Sequence, residues 1–206
     1  PFGRRDPETG RRRDSLTVQA RGFFRNNRPS YLLDHYFSNH FKWNNDFDRI
    51  KKVHIDGMVS YSKTKTSIRA GIENISKYIY FTNEDYLPRQ YDKQLEVFSL
   101  EVRQGLQWGI LNWDNAILVQ TSTDDEVLAL PKFSVETDLS IRFLVAKTLS
   151  AQLGVTGYYN AKYYAPTYQP APQQFATQKE IKCGGCPNLN GYLNCNLRRI
   201  KFCIMM

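Results

Sequence analysis

Phe133-Ser-Val-Glu-Thr-Asp-Leu-Ser-Ile-Arg-Phe-Leu-Val145 decides the fold. Its odd positions are Phe133, Val135, Thr137, Leu139, Ile141, Phe143 and Val145; its even positions are Ser134, Glu136, Asp138, Ser140, Arg142 and Leu144. Side chains along an extended strand point alternately to its two sides, so a period of two over this length means a strand with one apolar and one charged face. Residues 149–162 continue it, with Leu149, Ala151, Leu153, Val155 and Gly157 against Ser150, Gln152, Gly154, Thr156 and Lys162.

Working outward, the same alternation recurs. Leu16, Val18 and Ala20 oppose Thr17, Gln19, Arg21 and Arg25. Val53, Ile55 and Val59 oppose His54, Asp56 and Ser60, and Ile68, Ala70 and Ile72 oppose Arg69 and Glu73. Phe98, Leu100 and Val102 oppose Glu101 and Arg103, while Leu111, Trp113 and Ile117 oppose Asn112 and Asp114. Near the end Leu193, Cys195 and Leu197 hold one phase and Ile200, Phe202 and Ile204 the other, a shift that predicts a bulge at Arg198-Arg199. No segment carries a helical stripe. The pattern predicts about eight antiparallel strands, near 15–25, 47–61, 65–81, 94–108, 110–121, 133–146, 148–163 and 191–206.

Strand length and loop order point to the environment. Globular strands average about five or six residues, and these are far longer; a tilted membrane strand needs about 9–11 residues in lipid. Tight turns at 62–64, Gly109 and Lys147 alternate with long connections at 26–46, 82–93, 122–132 and 164–190. In an up-and-down sheet this puts every short turn on one edge and every long loop on the other, the layout of an outer-membrane barrel. Tyr78, Tyr80, Phe81, Trp108, Trp113, Tyr159, Tyr163 and Tyr164 fall near strand ends, where amphipathic rings suit a membrane boundary. The expected class is therefore all-β: an antiparallel up-and-down transmembrane β-barrel, about eight strands being visible of a larger one.

Composition narrows the alternatives. The 206 residues are 41% hydrophobic and 14% aromatic, too apolar for a disordered chain. No apolar run approaches the about twenty residues of a spanning helix. The chain opens without Met and closes on Cys203-Ile-Met-Met206, so residues 1–206 are expected to be a single barrel domain incomplete at both ends. All four Cys (183, 186, 195 and 203) lie in the last stretch. Cys183-Gly-Gly-Cys186 lacks the second pair of a zinc site; a local disulfide in an oxidising compartment suits it better, and unpaired residues in a loop and a strand are the plainer outcome.

Several longer stretches resemble a known family: GFFRNNRPSYLLDHYFSNHFKWNNDF at 22–47, GIENISKYIYF at 71–81, LNWDN at 111–115, LALP at 128–131, AKYYAP at 161–166 and YQP at 168–170. They are similar to the putative porins of Bacteroides-type Gram-negative bacteria. The resemblance covers the chain from about residue 15 and implies a β-barrel in the cell outer membrane. Residues 183–203 depart from the family's usual aliphatic and aromatic pattern there. The family also continues with at least one more hairpin. The resemblance says little about substrate.

On a barrel, the polar phase faces the lumen. The expected pore-lining residues are Arg21, Arg25, His54, Asp56, Arg69, Glu73, Glu101, Arg103, Asp114, Glu136, Asp138, Arg142 and Lys162, and the expected lipid-facing ones Leu139, Ile141, Phe143, Leu153 and Val155. Mixed wall charges bias which solutes pass; the alternative is ion pairing that only holds the wall in register. Loop 26–46, with His35, Tyr36, Phe37, His40, Phe41 and Trp43, can constrict the mouth, stack on sugar rings, or pack on its own aromatics, the last being the plainer outcome. Arg4, Arg5, Arg11, Arg12 and Arg13 fit a solvated rim turn better than a nucleic-acid site, and can neutralise lipopolysaccharide phosphates. No phosphate loop, HExxH or nucleophile elbow is present, so no enzyme, cofactor or metal is expected. The expected partners are outer-membrane lipid, lipopolysaccharide and small polar solutes. The main expectation is passive diffusion through a porin-like barrel; its rivals are a barrel that binds partners through its long loops, and a secreted carbohydrate-binding β-sandwich.

Overall fold

The computed structural model describes residues 15–145, 149–197 and 200–205. In chain order it forms β1 (Leu16–Asn27), α1 (Tyr31–Asp34), β2 (His35–Phe37), β3 (Lys42–Asn44), β4 (Ile50–Tyr61), β5 (Thr66–Ser76), β6 (Ile79–Thr82), β7 (Pro88–Gln90) and β8 (Gln94–Trp108). Then come β9 (Leu111–Ser122), β10 (Phe133–Val145), β11 (Leu149–Asn160), β12 (Thr167–Gln169), β13 (Gln174–Thr177), β14 (Asn188–Leu197) and β15 (Ile200–Met205). Nine of these make one sheet in the order β1-β4-β5-β8-β9-β10-β11-β14-β15, each long strand antiparallel to the next along the chain. This is the expected up-and-down all-β architecture. Among the described residues β1 and β15 are the two edges of the sheet.

Cross-strand partners share a face, and one apolar row runs Val59, Ile68, Val102, Ile117, Val135, Tyr159 through β4 to β11. A second runs Ile141, Leu153, Leu193, Ile204 to the far edge. The rows are oblique to the strand ends. Thr66 closes the β4–β5 turn, but its β8 partner Gln104 lies four residues before Trp108, and Leu111 pairs with Ile141, four residues before Val145. Such stagger is what tilted strands of a barrel wall require.

The turns preserve the alternation. Trp108 pairs with Leu111 across Gly109-Ile110, and Gly109 has φ +58°, the positive first position of a type II′ hairpin turn. Leu197 likewise pairs with Ile200, which corrects the expected bulge: 191–206 is not one strand but the hairpin β14–β15. A two-residue turn shifts the odd–even phase by one, so Leu193, Cys195 and Leu197 end opposite Ile204, Phe202 and Ile200 on one face. Arg198-Arg199, the turn at 146–148 and the N-terminal arginines lie outside the described residues. The expected strand 65–81 stops at Ser76, because Lys77 takes φ +59° and turns the chain before β6.

The long connections are not separate loops. β6 pairs with β7, and β13 runs parallel to β6, joining Ala176 to Phe81 and Thr177 to Thr82 in a four-stranded sheet, β12-β13-β6-β7. Trp43, Phe81 and Ala176 form the centre of this crown, with Leu33, Tyr36, Phe41, Tyr86 and Leu87 around them. The plainer expectation for loop 26–46 holds, extended by its neighbours: Tyr36 stacks on Trp43 at 4.5 Å, and Trp43 meets Phe81 edge-on at 5.9 Å. Tyr78, Tyr80 and Phe81 are thus crown residues rather than rim residues.

A second cluster ties crown to wall. Ile75 and Leu95 pair directly on β5 and β8 and belong to the charged phase of the sheet. Val127 covers them, with Ile50, Tyr78, Tyr80, Tyr91 and Leu128 packed around. Leu95 is fully buried. The crown is therefore seated on the charged-phase side of the wall, at its long-loop end. Truncating Leu95→Ala leaves a void costing about 2–5 kcal/mol. We expect faster thermolysin cleavage of the 77–93 connection, with the heat-dependent gel shift of the folded wall unchanged.

Candidate functional site: the two faces of the wall

The expected lipid-facing residues Leu139, Ile141, Phe143, Leu153 and Val155 all lie on the apolar face, and all are solvent-exposed. Leu139, Leu153 and Val155 are 47, 49 and 49% exposed, and Ile55, Ile68, Ile72, Phe98 and Ile117 on the neighbouring strands are exposed with them. A monomeric soluble domain rarely exposes an apolar patch beyond a few hundred Å²; here the patch crosses nine strands. Toward the short-turn edge it carries Tyr61, Trp108 and Trp113, the two indoles 6.3 Å apart. A polar seam on it, Thr66, Gln104, Asn115 and Thr137, bonds internally: Thr66 Oγ1 donates to Gln104 Oε1 at 2.6 Å and Thr137 Oγ1 to Asn115 Oδ1 at 2.8 Å. Trp113 Nε1 donates to Thr137 Oγ1 at 2.9 Å.

The opposite face gathers twelve of the thirteen expected pore-lining residues. On β1, β4, β5 and β8 they form an ionic ladder. Arg21 grips Asp56 with Nε to Oδ1 at 3.0 Å and Nη2 to Oδ2 at 3.1 Å, the two-pronged geometry that suits a guanidinium. His54 sits between two carboxylates, Nε2 to Asp56 Oδ1 and Nδ1 to Glu73 Oε2, both at 3.1 Å, with Phe23 stacked on its ring at 4.9 Å. Lys52, absent from the expected set, meets Glu73 at 2.6 Å. Arg103 Nε donates to Glu101 at 2.6 Å, and Arg69 lies between Asp56 and Glu101, 3.9 Å from each. Arg25 stands over the Phe23 ring at 4.8 Å.

Asp56 is 5% exposed, so its partners are what make the charge tolerable there. Removing one partner of such a group leaves the other uncompensated.

On β10, β11 and β14 the bonding changes from ionic to neutral. Asp138 accepts from Tyr192 Oη at 3.0 Å and from Thr156 Oγ1 at 2.9 Å. Gln152 Nε2 donates to Tyr192 Oη at 3.1 Å and to Ser140 Oγ at 3.2 Å, and Arg142 reaches Gln152 Oε1 at 3.4 Å. The Tyr192 ring occupies the space a side chain at Gly154 would need. Between the two networks lies a cleft of about 330 Å³, lined by Lys65, Arg103, Gln104, Asp114, Glu136 and Asp138. Asp114 and Asp138 are direct cross-strand partners, a like-charge pair that destabilises a dry sheet. Among the described residues neither Asp114 nor Glu136 has an ion-pair partner.

Two expectations fall elsewhere. Lys162 follows β11 in the 161–187 connection, beside Gly185, and does not join the wall networks. Cys183 and Cys186 are free and exposed, the plainer of the outcomes weighed for them, rather than joined in the possible disulfide; Cys183 bridges backbone to backbone with Tyr163. Among the described residues no cluster of His, Cys, Asp and Glu could hold a metal. The residues that the alternation rule passed over are Ile50, Ile75 and Leu95. Their signal was in the sequence, because the charged phase turns apolar at its long-loop end.

A family model described as putative porin matches residues 8–206. The chain belongs to that porin family. No curated protein matches it.

Within the crown of this porin-family chain, Asp85 fixes the β6–β7 turn. Burial pushes its carboxyl up, but hydrogen bonds from Thr82 Oγ1, Arg89 Nη2 and the Leu87 amide outweigh that and hold it at about 2. A free Asp titrates near about 3.9. The depressed value means that the stabilisation is complete above pH 4 and disappears as pH falls toward 2. Pepsin cleavage of the 77–93 connection should therefore accelerate from pH 4 to pH 2, and Asp85→Asn should flatten most of that dependence.

Proposed function

We propose that this chain forms part of the wall of an outer-membrane pore through which small polar solutes diffuse. One observation carries the proposal: the apolar face is continuous over nine strands and exposed, while the other face is charged. Lipid needs no polar groups from the wall, and a strand in lipid must have its backbone paired on both sides. The charged face needs water, because among the described residues Asp114 and Glu136 form no ion pair. The proposed channel requires these nine strands to be part of a wider barrel. An eight-stranded barrel is filled by its own side chains, whereas sixteen or more strands enclose an aqueous channel.

In this arrangement the charged-face residues divide by role. The Arg21–Asp56–His54–Glu73 ladder holds the register of β1 to β5 and presents a nearly neutral surface. Asp114, Glu136 and Asp138 on β9 and β10 give the adjoining surface a negative bias, faced by Lys65 and Arg103. Solutes crossing this part of the wall meet both signs, which orients dipolar molecules and leaves apolar ones without a binding surface. Lipid and lipopolysaccharide contact Leu139, Ile141, Phe143, Leu153 and Val155. The chain acts as a conduit rather than as a catalyst.

Leu139→Arg should weaken folding into lipid vesicles by about 2–4 kcal/mol if it faces the bilayer interior, measured by denaturant titration. Glu136→Arg, on the opposite face, should fold as the parent does and move the reversal potential toward anion passage. A full-length chain that inserts into planar bilayers yet passes no ionic current would overturn the pore.

A further inference from the structure

The crown contains a cleft of about 490 Å³ that the wall does not share. Three separate connections build it: the β6–β7 hairpin, residues 126–127, and the end of β13 with the residues after it. Tyr80, Asn83, Glu84, Arg89, Gln178 and Glu180 line it. Its location follows from the packing described above, since Tyr80 and Val127 belong to the cluster that seats the crown on the charged side of the wall.

Its chemistry is selective in a particular way. The cations at the cleft are already engaged: Arg89 with Asp85 at 2.8 Å, and Lys179 with Glu126 at 2.6 Å. An anionic ligand would have to break those pairs. Gln178 is fully used by the backbone, donating to Ala165 and Ile181 carbonyls and accepting from the Glu180 and Ile181 amides. What remains open is acceptor capacity. Asn83 Oδ1 is buried with no hydrogen-bond partner among the described residues. Glu180 has no ion pair there, and Glu84 is 3.9 Å from Arg89. A buried acceptor without a donor costs free energy until something supplies one. A metal ion is disfavoured as that donor substitute, since no acidic cluster of ligating size exists among the described residues.

Unfilled acceptors beside a phenol ring, with the neighbouring cations already paired, suit a ligand rich in hydroxyl donors and carrying no negative charge. We propose that this crown cleft docks neutral saccharides at the entrance to the pore. The position at an entrance rests on the porin function proposed above; the binding itself does not. Sugar hydroxyls donate to the exposed Glu180 carboxylate and, with the Asn83 amide turned out of its buried position, to Asn83 Oδ1, and a sugar face lies against Tyr80.

The test uses the full-length chain in detergent micelles, with maltohexaose and cellohexaose as probes and hexagalacturonate as the charged control, followed by calorimetry. We expect saturable binding of at least one neutral hexaose and none of the charged one. Asn83→Leu should weaken that binding by about tenfold and Glu180→Gln by about threefold. Asn83→Ala serves if the leucine variant loses the heat-dependent gel shift of the folded barrel. No saturable binding of either neutral hexaose, preference for hexagalacturonate, or Asn83 variants that bind as the parent does would each overturn the proposal. Planar-bilayer current separates the two claims: current without sugar binding removes the docking site and leaves the pore, whereas sugar binding without current removes the pore and leaves the docking site.

Discussion

A backbone N–H or C=O in hydrocarbon has no water to bond, so it must be paired by another strand. Every other feature of this wall follows from meeting that demand with an antiparallel ladder. Once two strands are paired, the side-chain period is two and the faces are set together: Val59 brings Ile68, Val102 and Ile117 to one side, and Arg69 brings Glu101 to the other. A slip of one residue would turn Arg69, Glu101 and Arg103 toward the apolar side and Ile68, Leu100 and Val102 toward the charged side. Hairpin turns hold the register. Gly109-Ile110 sets it between β8 and β9, and between β14 and β15 the pairing runs from Leu197 opposite Ile200.

The two faces meet opposite requirements with different chemistry. Outside, apolar side chains suffice, and the few polar groups close on one another. Thr66, Gln104, Asn115 and Thr137 lie along one oblique hydrogen-bonded row, which lets Thr66 satisfy Gln104 and Thr137 satisfy Asn115 without water. Inside, pairing is uneven. The β1–β8 side is laced by ion pairs centred on Asp56, whereas the β9–β10 side leaves Asp114 and Glu136 to solvent. That contrast separates charges that hold strands together from charges left unpaired among the described residues.

Much of the wall was legible because alternation is a local property. Six residues of Phe133–Val145 are enough to assign both faces, and the register confirms the same side for Leu139, Val155, Ile141 and Leu153. The hairpin at 197–200 was present in the sequence as a phase shift, but a bulge and a two-residue turn produce the same shift, and only pairing separates them. The crown was less legible because its contacts are not local. Phe81 pairs with Ala176 across nearly half the chain, and no periodicity in either segment announces the other. Composition alone suits Tyr78, Tyr80 and Phe81 to a rim, and their packing against Trp43, Ile75 and Val127 depends on three connections folding together.

The crown also shows why the charged phase could not stay charged to its end. A carboxylate or guanidinium at Ile75 or Leu95 would be buried beneath Val127 with no partner, at a cost several times that of burying an aliphatic group. By switching to Ile50, Ile75 and Leu95, the wall gives the crown an apolar footing on its inner side. Tyr91 then fastens that footing to the next connection, its Oη donating to Asp124 Oδ2 at 2.8 Å while Asp124 Oδ1 accepts from the Glu126 and Val127 amides. A loop layer fixed at an apolar seat, at a parallel strand pair and at this bonded carboxylate has little freedom to swing clear. The long-loop end of the charged face is therefore covered by a layer whose shape is set by the same contacts that seat it on the wall.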